Sequence, residues 1–257
     1  MTAENRFRIL TFLAKGGYGS IFVANDSLDN KIKVIKVYDQ CENLDLSKLD
    51  IQQERLKKIE FEGILKPNEW IKSSPRIAVF TFLKGGNLFQ KIKKEGPLSF
   101  DTIGVYLAQL VRILDYLHLN KIVHRDIKPD NIFIEKDTIY LADLDFCHFS
   151  RGLFKDLKLT KEYCQRGSSL FMSPQHLKGK RPNHFMDQYS LATTVYYFLS
   201  TKYPFGNDIS KRFNVSNYQM INSLTRHQNY CLIKALNPKE SNRYSSVVEF
   251  YQDLYLR

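Results

Sequence analysis

No stretch of about 18 consecutive apolar residues occurs in the 257-residue sequence, so no membrane-spanning helix is expected. The opening MTAENRFRIL has no basic stretch leading into an apolar one, and a secretory leader is not expected either. Cysteine is sparse: Cys41, Cys147, Cys164 and Cys231 stand far apart with no CxxC pair. That spacing argues against a disulfide framework and against zinc, and fits a reducing, cytoplasmic compartment. Internal repeats and low-complexity tails are missing as well. No segment reads as a regulatory domain, so control is expected from the chain's own loop or from an activating partner.

Acidic residues are the minority, 27 Asp and Glu against 38 Lys and Arg, for a net charge of +11. The excess is uneven. Residues 151–181 hold eight Lys and Arg, with only Asp156 and Glu162 to oppose them. Such a patch attracts phosphate, nucleic acid, acidic peptide or anionic lipid, or it is simply a solvated loop. With 43% hydrophobic residues the chain can bury a sizeable core, and its length is long for one ordinary domain and short for two independent ones.

The first third alternates in short apolar runs. FRILTFLAK, SIFVAND and KIKVIKVYD read as strands, with turns at GGYG and DSLDN, and RIAVFTFL is a further strand ended by KGGN. Between them, residues 44–61 have helical spacing through Leu49, Leu56 and Ile59. After Ser99 the period becomes helical: FDTIGVYLAQLVRILDYLHLN opens on Ser99 and Asp101 as cap candidates. The last third is helical again, around FMDQYSLATTVYYFLSTKYPF and YCLIKALNPK. A small β-rich part therefore precedes a larger helical part, with the change near Gly85.

The run VHRDIKPDNIFI carries the chemistry. It offers a carboxylate at Asp126, an ammonium at Lys128 and an amide oxygen at Asn131, with Pro129 stiffening the turn. Together these suit proton acceptance, phosphate neutralisation and Mg²⁺ ligation. A loop in which these groups merely cap and pair is the bland alternative.

This run resembles the catalytic loop of eukaryotic-type protein kinases, and other parts of that family's pattern follow in order. LAKGGYGSIFVA resembles the glycine-rich loop over ATP, KVIK ends in the strand lysine Lys36, and LADLD resembles the metal-binding segment. GSSLFMSPQ resembles the end of the activation segment, DQYSL the buried helix that anchors the catalytic loop through Asp187, and NPKESNRYS carries the late arginine Arg243. The resemblance covers roughly residues 7–255. Lys128-Pro129 and Gly167-Ser168 are similar to the serine/threonine branch.

The resemblance implies an α+β, two-lobed fold in a single kinase domain: a β-rich lobe with one helix over residues 1–84 and a helical lobe over 85–257. It implies ATP as phosphoryl donor with Mg²⁺, or Mn²⁺ in its place, and a protein substrate bearing Ser/Thr hydroxyls. Asp126 is implied as catalytic base, Lys128 as the neutraliser of the moving phosphoryl group, and Asn131 and Asp143 as metal ligands. Ser168 is implied to bridge Asp126 and Lys128. The nucleotide-binding set it implies is Ala14, Gly16, Gly17, Gly19, Ile21, Val34, Lys36, Gln52, Thr81, Leu83 and Phe133, with Phe80 before the hinge. No nucleic-acid partner is expected.

The sequence also departs from the family. Ala14 replaces the first loop glycine. Asp143 and Asp145 both compete for the metal role; IYLAD favours Asp143, with Leu144 and Asp145 then replacing Phe and Gly. Gln52 falls where a helix glutamate should meet Lys36. Glu54 lies two residues on, about 200° round the helix, and an insertion would be needed to bring it there. Gln175 replaces the glutamate partner of Arg243. These losses favour a rival reading, a signalling module that binds nucleotide without transferring phosphate; a small-molecule kinase is a further rival. Arg125 is implied to await a phosphate on the activation segment, at Thr160, Ser168 or Ser169 with Thr160 preferred. The competing expectation is that the basic segment docks an acidic partner or substrate.

Overall fold

The computed structural model describes residues 3–15, 19–38, 45–149 and 168–256. They form two compact units: the described residues up to 60 with 65–84, and 61–64 with the described residues from 85 onward. The division differs from a single cut at residue 84 because the 61–64 stretch packs with the second unit. There Phe61 stacks on Tyr116 at 4.5 Å, and Leu141 N–H donates to Gly63 O at 2.7 Å.

The first unit is an antiparallel sheet in the order β1-β2-β3-β5-β4. Its strands are β1 (Phe7–Lys15), β2 (Ser20–Asp26), β3 (Lys31–Tyr38), β4 (Glu69–Ile71) and β5 (Arg76–Thr81). Alternation sorts the side chains. One face buries Phe7, Ala24, Ile35, Ile77 and Val79 with Phe22, Val37 and Ile71 against them. At its rim Arg6 closes forks on Asp26 (2.9 and 2.8 Å) and Glu69 (2.8 and 2.7 Å). Arg6 belongs to a turn of helix, α1 (Ala3–Arg6), so this unit has two helices where the sequence led us to expect one.

The longer helix, α2 (Leu46–Lys57), is shorter than the expected 44–61. Asp45 caps it, accepting from Ser47 N at 3.1 Å and Lys48 N at 3.2 Å. Leu49, Leu56 and Ile59 are buried as their spacing predicts, and Gln53 completes the inward stripe between Leu49 and Leu56. Asp50 fastens the helix to the sheet: Trp70 Nε1 donates to it at 2.8 Å, and Arg76 donates at 3.1 and 3.0 Å.

The second unit is mainly helical: α3 (Leu88–Glu95), α4 (Phe100–Leu119), α5 (Pro174–Leu177), α6 (His184–Ser200), α7 (Arg226–Ala235) and α8 (Val247–Tyr255). Two small ladders join β6 (Ile122–Val123) to β9 (His148–Phe149) and β7 (Ile132–Glu135) to β8 (Thr138–Leu141). Ser99 caps α4 by accepting from Thr102 N at 3.1 Å. The sequence reading missed α3, α8 and β4, which are eight, nine and three residues long. α6 is buried on nearly every side from Met186 to Tyr196, as expected of a helix at the centre of a core. Among the described residues no helix is long and apolar enough to cross a membrane.

Candidate active site

The run VHRDIKPDNIFI leaves β6 of one ladder, turns, and enters the other ladder at β7. Its backbone hangs on one buried carboxylate. Asp187, in the first turn of α6 and fully buried, accepts His124 N at Oδ2 and Arg125 N at Oδ1, both at 2.8 Å. His118 Nε2 meets the same Oδ2 at 2.8 Å. Burial resists charge on Asp187, but the His118 bond and the loop amides outweigh it and lower its pKa. These bonds hold Arg125 in left-handed backbone, φ 75°, with its side chain buried.

His124 joins this loop to the next. Asp126 N–H donates to Nδ1 at 3.2 Å, so Nε2 carries the proton and donates to Ala142 O at 3.0 Å. Ala142 directly precedes Asp143. The two candidate segments thus share one imidazole, fully buried between them.

Asp126 is 4% exposed. Its Oδ2 accepts from Lys128 Nζ and Asn131 Nδ2, each at 2.8 Å, and Asn131 Nδ2 also donates to Asp126 O at 2.8 Å. Oδ1 stays outside this set of bonds. Desolvation works against the Lys128 ammonium, yet Asp126, then Asp143 and Asp130, overcome it and raise its pKa. Burial raises the pKa of Asp130 itself.

Asp143 is half-buried with φ 64° and ψ 57°, left-handed, and its charge acts on Lys128. Asp145 is buried, 4% exposed, in the 3-10 turn Leu144–Phe146. Asp145 is not among the positive-φ residues, so its backbone does not call for glycine. The charge of Asp143 reaches the loop that carries Asp126, at Lys128. Asn131 suits a hard cation beside it: both bonds from Nδ2 go to Asp126, which turns the amide oxygen the other way. An amide oxygen and a carboxylate are the donors Mg²⁺ prefers.

Gln175 and Arg243 do meet, Nη2 donating to Oε1 at 2.8 Å. Arg243 also donates to Asn237 O at 2.7 Å and Phe185 O at 2.8 Å. Burial pulls its pKa down to about 10.

In the first unit, the sheet face opposite the apolar core carries Ala14, Ile21, Val34 and Lys36. Ala14, Ile21, Lys36 and Ala78 are cross-strand partners in one row, and Val23, Val34 and Phe80 form the next. Ile21, Val34, Lys36 and Phe80 are half-buried, whereas Ala14 is exposed. Lys36 Nζ lies 5.3 Å from the Tyr38 ring centroid. Gly19 has a packing reason of its own: a Cβ there would collide with Val37 O and lie 2.9 Å from Val37 C. Glu54 is exposed and pairs with Lys57 at 3.0 Å and Lys72 at 3.6 Å, while Gln52 is half-buried. Thr81 is exposed, its Oγ1 donating to Asn68 Oδ1 at 3.0 Å; Leu83 is half-buried. In the second unit Phe133 is half-buried in β7 and bridges to Asn87.

Gly16, Gly17, Thr160, most of the basic segment and the side chain of Ser168 lie outside the described residues. Among the described residues one other group, His227, Cys231 and Asp253, gathers ligand-type atoms. Its His227 Nε2 already bonds Asp253 O at 2.9 Å, and Cys231 is fully buried with its pKa raised by burial, which disfavours the thiolate a metal needs.

Sequence reasoning missed three residues here. His118, Gln53 and Arg212 are polar groups on otherwise apolar or irregular stretches, and no local pattern marks them as buried.

Comparison with known proteins gives one result. The model of the protein kinase domain family matches residues 7–255. The chain is similar to "Protein kinase 2" of Dictyostelium discoideum, 27% identical over 79% of this chain and 42% of that protein. It is similar to "Probable serine/threonine-protein kinase PknB" of Lactococcus lactis subsp. lactis (strain IL1403), 25% identical over 97% of this chain and 42% of that protein. It is also similar to "Serine/threonine-protein kinase AtPK1/AtPK6" of Arabidopsis thaliana, 26% identical over 77% of this chain and 43% of that protein. The matches thus span less than half the length of these relatives.

Proposed function

Because the chain belongs to the protein kinase domain family, we propose that it transfers the γ-phosphoryl group of ATP to Ser/Thr hydroxyls of protein substrates. The observation that carries this reading is the set of 2.8 Å bonds joining Asp126, Lys128 and Asn131. They occupy Oδ2 of Asp126 and leave Oδ1 outside these bonds. That oxygen orients the acceptor hydroxyl and takes its proton, a contribution of about 10² to 10⁴ in rate for a placed general base. The raised pKa of Lys128 keeps the ammonium protonated, ready to neutralise the phosphoryl oxygens as they move.

Asn131 and Asp143 are the residues for Mg²⁺ or Mn²⁺, which when bound supplies charge neutralisation to the phosphate oxygens. In the β-rich unit, Lys36 is assigned to the α/β phosphates and the backbone near Gly16, Gly17 and Gly19 to covering them. Ala14, Ile21, Val34, Thr81 and Leu83 are assigned to the nucleotide. Gln52 remains the residue assigned to steady Lys36, since Glu54 is engaged by Lys57 and Lys72.

That engagement also favours the second reading, a signalling module that binds nucleotide without transfer. One assay separates the two. The purified chain is incubated with labelled ATP, Mg²⁺ or Mn²⁺, and a generic basic or acidic protein, beside Asp126→Asn. Label in protein for the wild type and none for the variant is the expected result; nucleotide binding with no label in either would reject the transferase reading. Exposed Lys178, Lys180 and Arg181 support an acidic substrate or an activating partner. A cytoplasmic setting is in keeping with buried, free Cys147 and Cys231, and cell fractionation tests it.

A further inference from the structure

We propose that Arg212 is a positioning residue for the protein substrate: its guanidinium fixes residues 169–172, and this stretch, which leads into α5 within electrostatic reach of Arg125 and Asp126, is where the acceptor chain docks. The docking role rests on the phosphoryl-transfer reading above; the clamp itself does not.

Arg212 sits in the 3-10 turn Ile209–Phe213 and is 2% exposed. Nη1 donates to Ser169 O at 2.7 Å and also to Met172 O, and Nη2 donates to Leu170 O at 3.1 Å. Three carbonyls from one four-residue stretch therefore converge on one planar cation. Among the described residues no carboxylate pairs with it, and burial lowers its pKa. Desolvation opposes this placement, and the convergent charge-assisted bonds offset it. An ammonium is a point charge and cannot span the same three acceptors with the geometry of a guanidinium fork.

The stretch it holds runs straight into the catalytic loop's neighbour. Ser173 caps α5 by accepting from His176 N at 3.1 Å, and buried His176 lies within the electrostatic reach of Arg125, Asp187 and Asp126. The far end is held by the Arg243–Gln175 bond. Two buried arginines thus bracket residues 169–175. Phe171, Met172 and Ser173 are buried between them, which leaves the backbone little freedom to find another path. Where this backbone lies sets where an acceptor chain running along it presents a hydroxyl to Asp126.

The test compares wild type, Arg212→Lys and Arg212→Met in steady-state kinetics with a peptide substrate and ATP. Hydrogen exchange of residues 169–173 and of the catalytic loop is followed in parallel. Expected for Arg212→Lys is a rise of about tenfold in peptide KM, from the lost charge-assisted bonds. KM for ATP should stay within about twofold, since a substrate-positioning defect leaves nucleotide binding alone. Exchange should quicken in 169–173 and not in 124–131, and Arg212→Met should be worse than Arg212→Lys on both readouts. Unchanged peptide KM in folded variants overturns the docking role, as does a parallel rise in both KM values. Unchanged exchange in 169–173 overturns the clamp. A wild type that transfers no phosphate refutes the reading of the preceding subsection and with it the docking role, while exchange still decides the clamp.

Discussion

At the scale of single residues, the site separates two aspartates that the sequence offers side by side. Asp143 is half-buried and coupled to Lys128, whereas Asp145 is buried in a turn that any L-residue adopts. Asp126→Asn and Asp143→Asn are therefore expected to abolish phosphoryl transfer, with losses of at least about 10³, while leaving the circular dichroism of the fold intact. Asp145→Asn should keep measurable activity; the reverse ranking in the same assay would reassign the metal ligand. His176 gives a pH prediction. Burial, with Arg125 adding to it, lowers its pKa from 6.5 to about 4, and neither ring nitrogen finds a hydrogen-bond partner among the described residues. Folded His176 thus stays neutral across a window in which the unfolded chain binds a proton. Its share of stability is full above pH 6.5 and falls away as pH drops toward 4, by about 3 kcal/mol in all. Urea midpoints between pH 4 and 7 should fall less steeply for His176→Leu than for wild type. Equal slopes would mean that His176 does not titrate as its burial implies.

At the scale of elements, α6 acts on the catalytic loop through one side chain. Asp187 accepts two loop amides and meets His118, and an asparagine there would turn an N–H toward at least one of those donors. Asp187→Asn is expected to destabilise the second unit by about 3 kcal/mol, the scale for breaking a buried charged network. Activity should be lost even at temperatures where the variant is folded. A thermal melt and an assay on the same sample check both parts, and a variant with wild-type stability would show that the loop is held by something else. For α2, Glu54 already serves Lys57 and Lys72 at the surface. Glu54→Gln should then change kcat/KM by less than about threefold, the scale of an exposed pair. Gln52→Glu should keep or raise activity. A severe loss from Glu54→Gln alone would overturn the helix register. The two strongly patterned helices, α4 and α6, were legible in the sequence because their apolar period is long. α3, α8 and β4 were not: their segments are short, and what makes them regular is packing, as when Tyr255 of α8 stacks on Phe100 at 4.2 Å.

At the scale of the whole molecule, a net charge of +11 gives the chain a field that favours anionic partners. Lys178, Lys180 and Arg181 are exposed directly after α5, at the end of the basic segment. If this surface docks an acidic substrate, kcat/KM on an acidic peptide should fall by about tenfold or more between low and high salt, against little change for a neutral peptide. If phosphate on the segment is instead the switch, phosphatase treatment should reduce activity on both peptides, and autophosphorylation should restore it. Activity on both peptides that is insensitive to phosphatase and salt alike would set aside both ideas.

The sequence by itself determined the chemistry-bearing groups and most of the strands. A carboxylate, an ammonium and an amide within VHRDIKPDN are local facts, and β1, β2 and β3 follow from short apolar runs set off by turn residues. Only the tertiary structure decided which of these groups act together. It coupled Asp143 to Lys128, turned Glu54 outward, buried Gln53 in the helix stripe, and aimed Asp187 at two amides more than sixty residues away in the chain. It also closed Arg212 on three carbonyls some forty residues earlier. The physical reason is the same in each case. Whether a polar side chain points into a core or out to water depends on which donors and acceptors the fold brings within about 3 Å of it, and no neighbour in sequence records that.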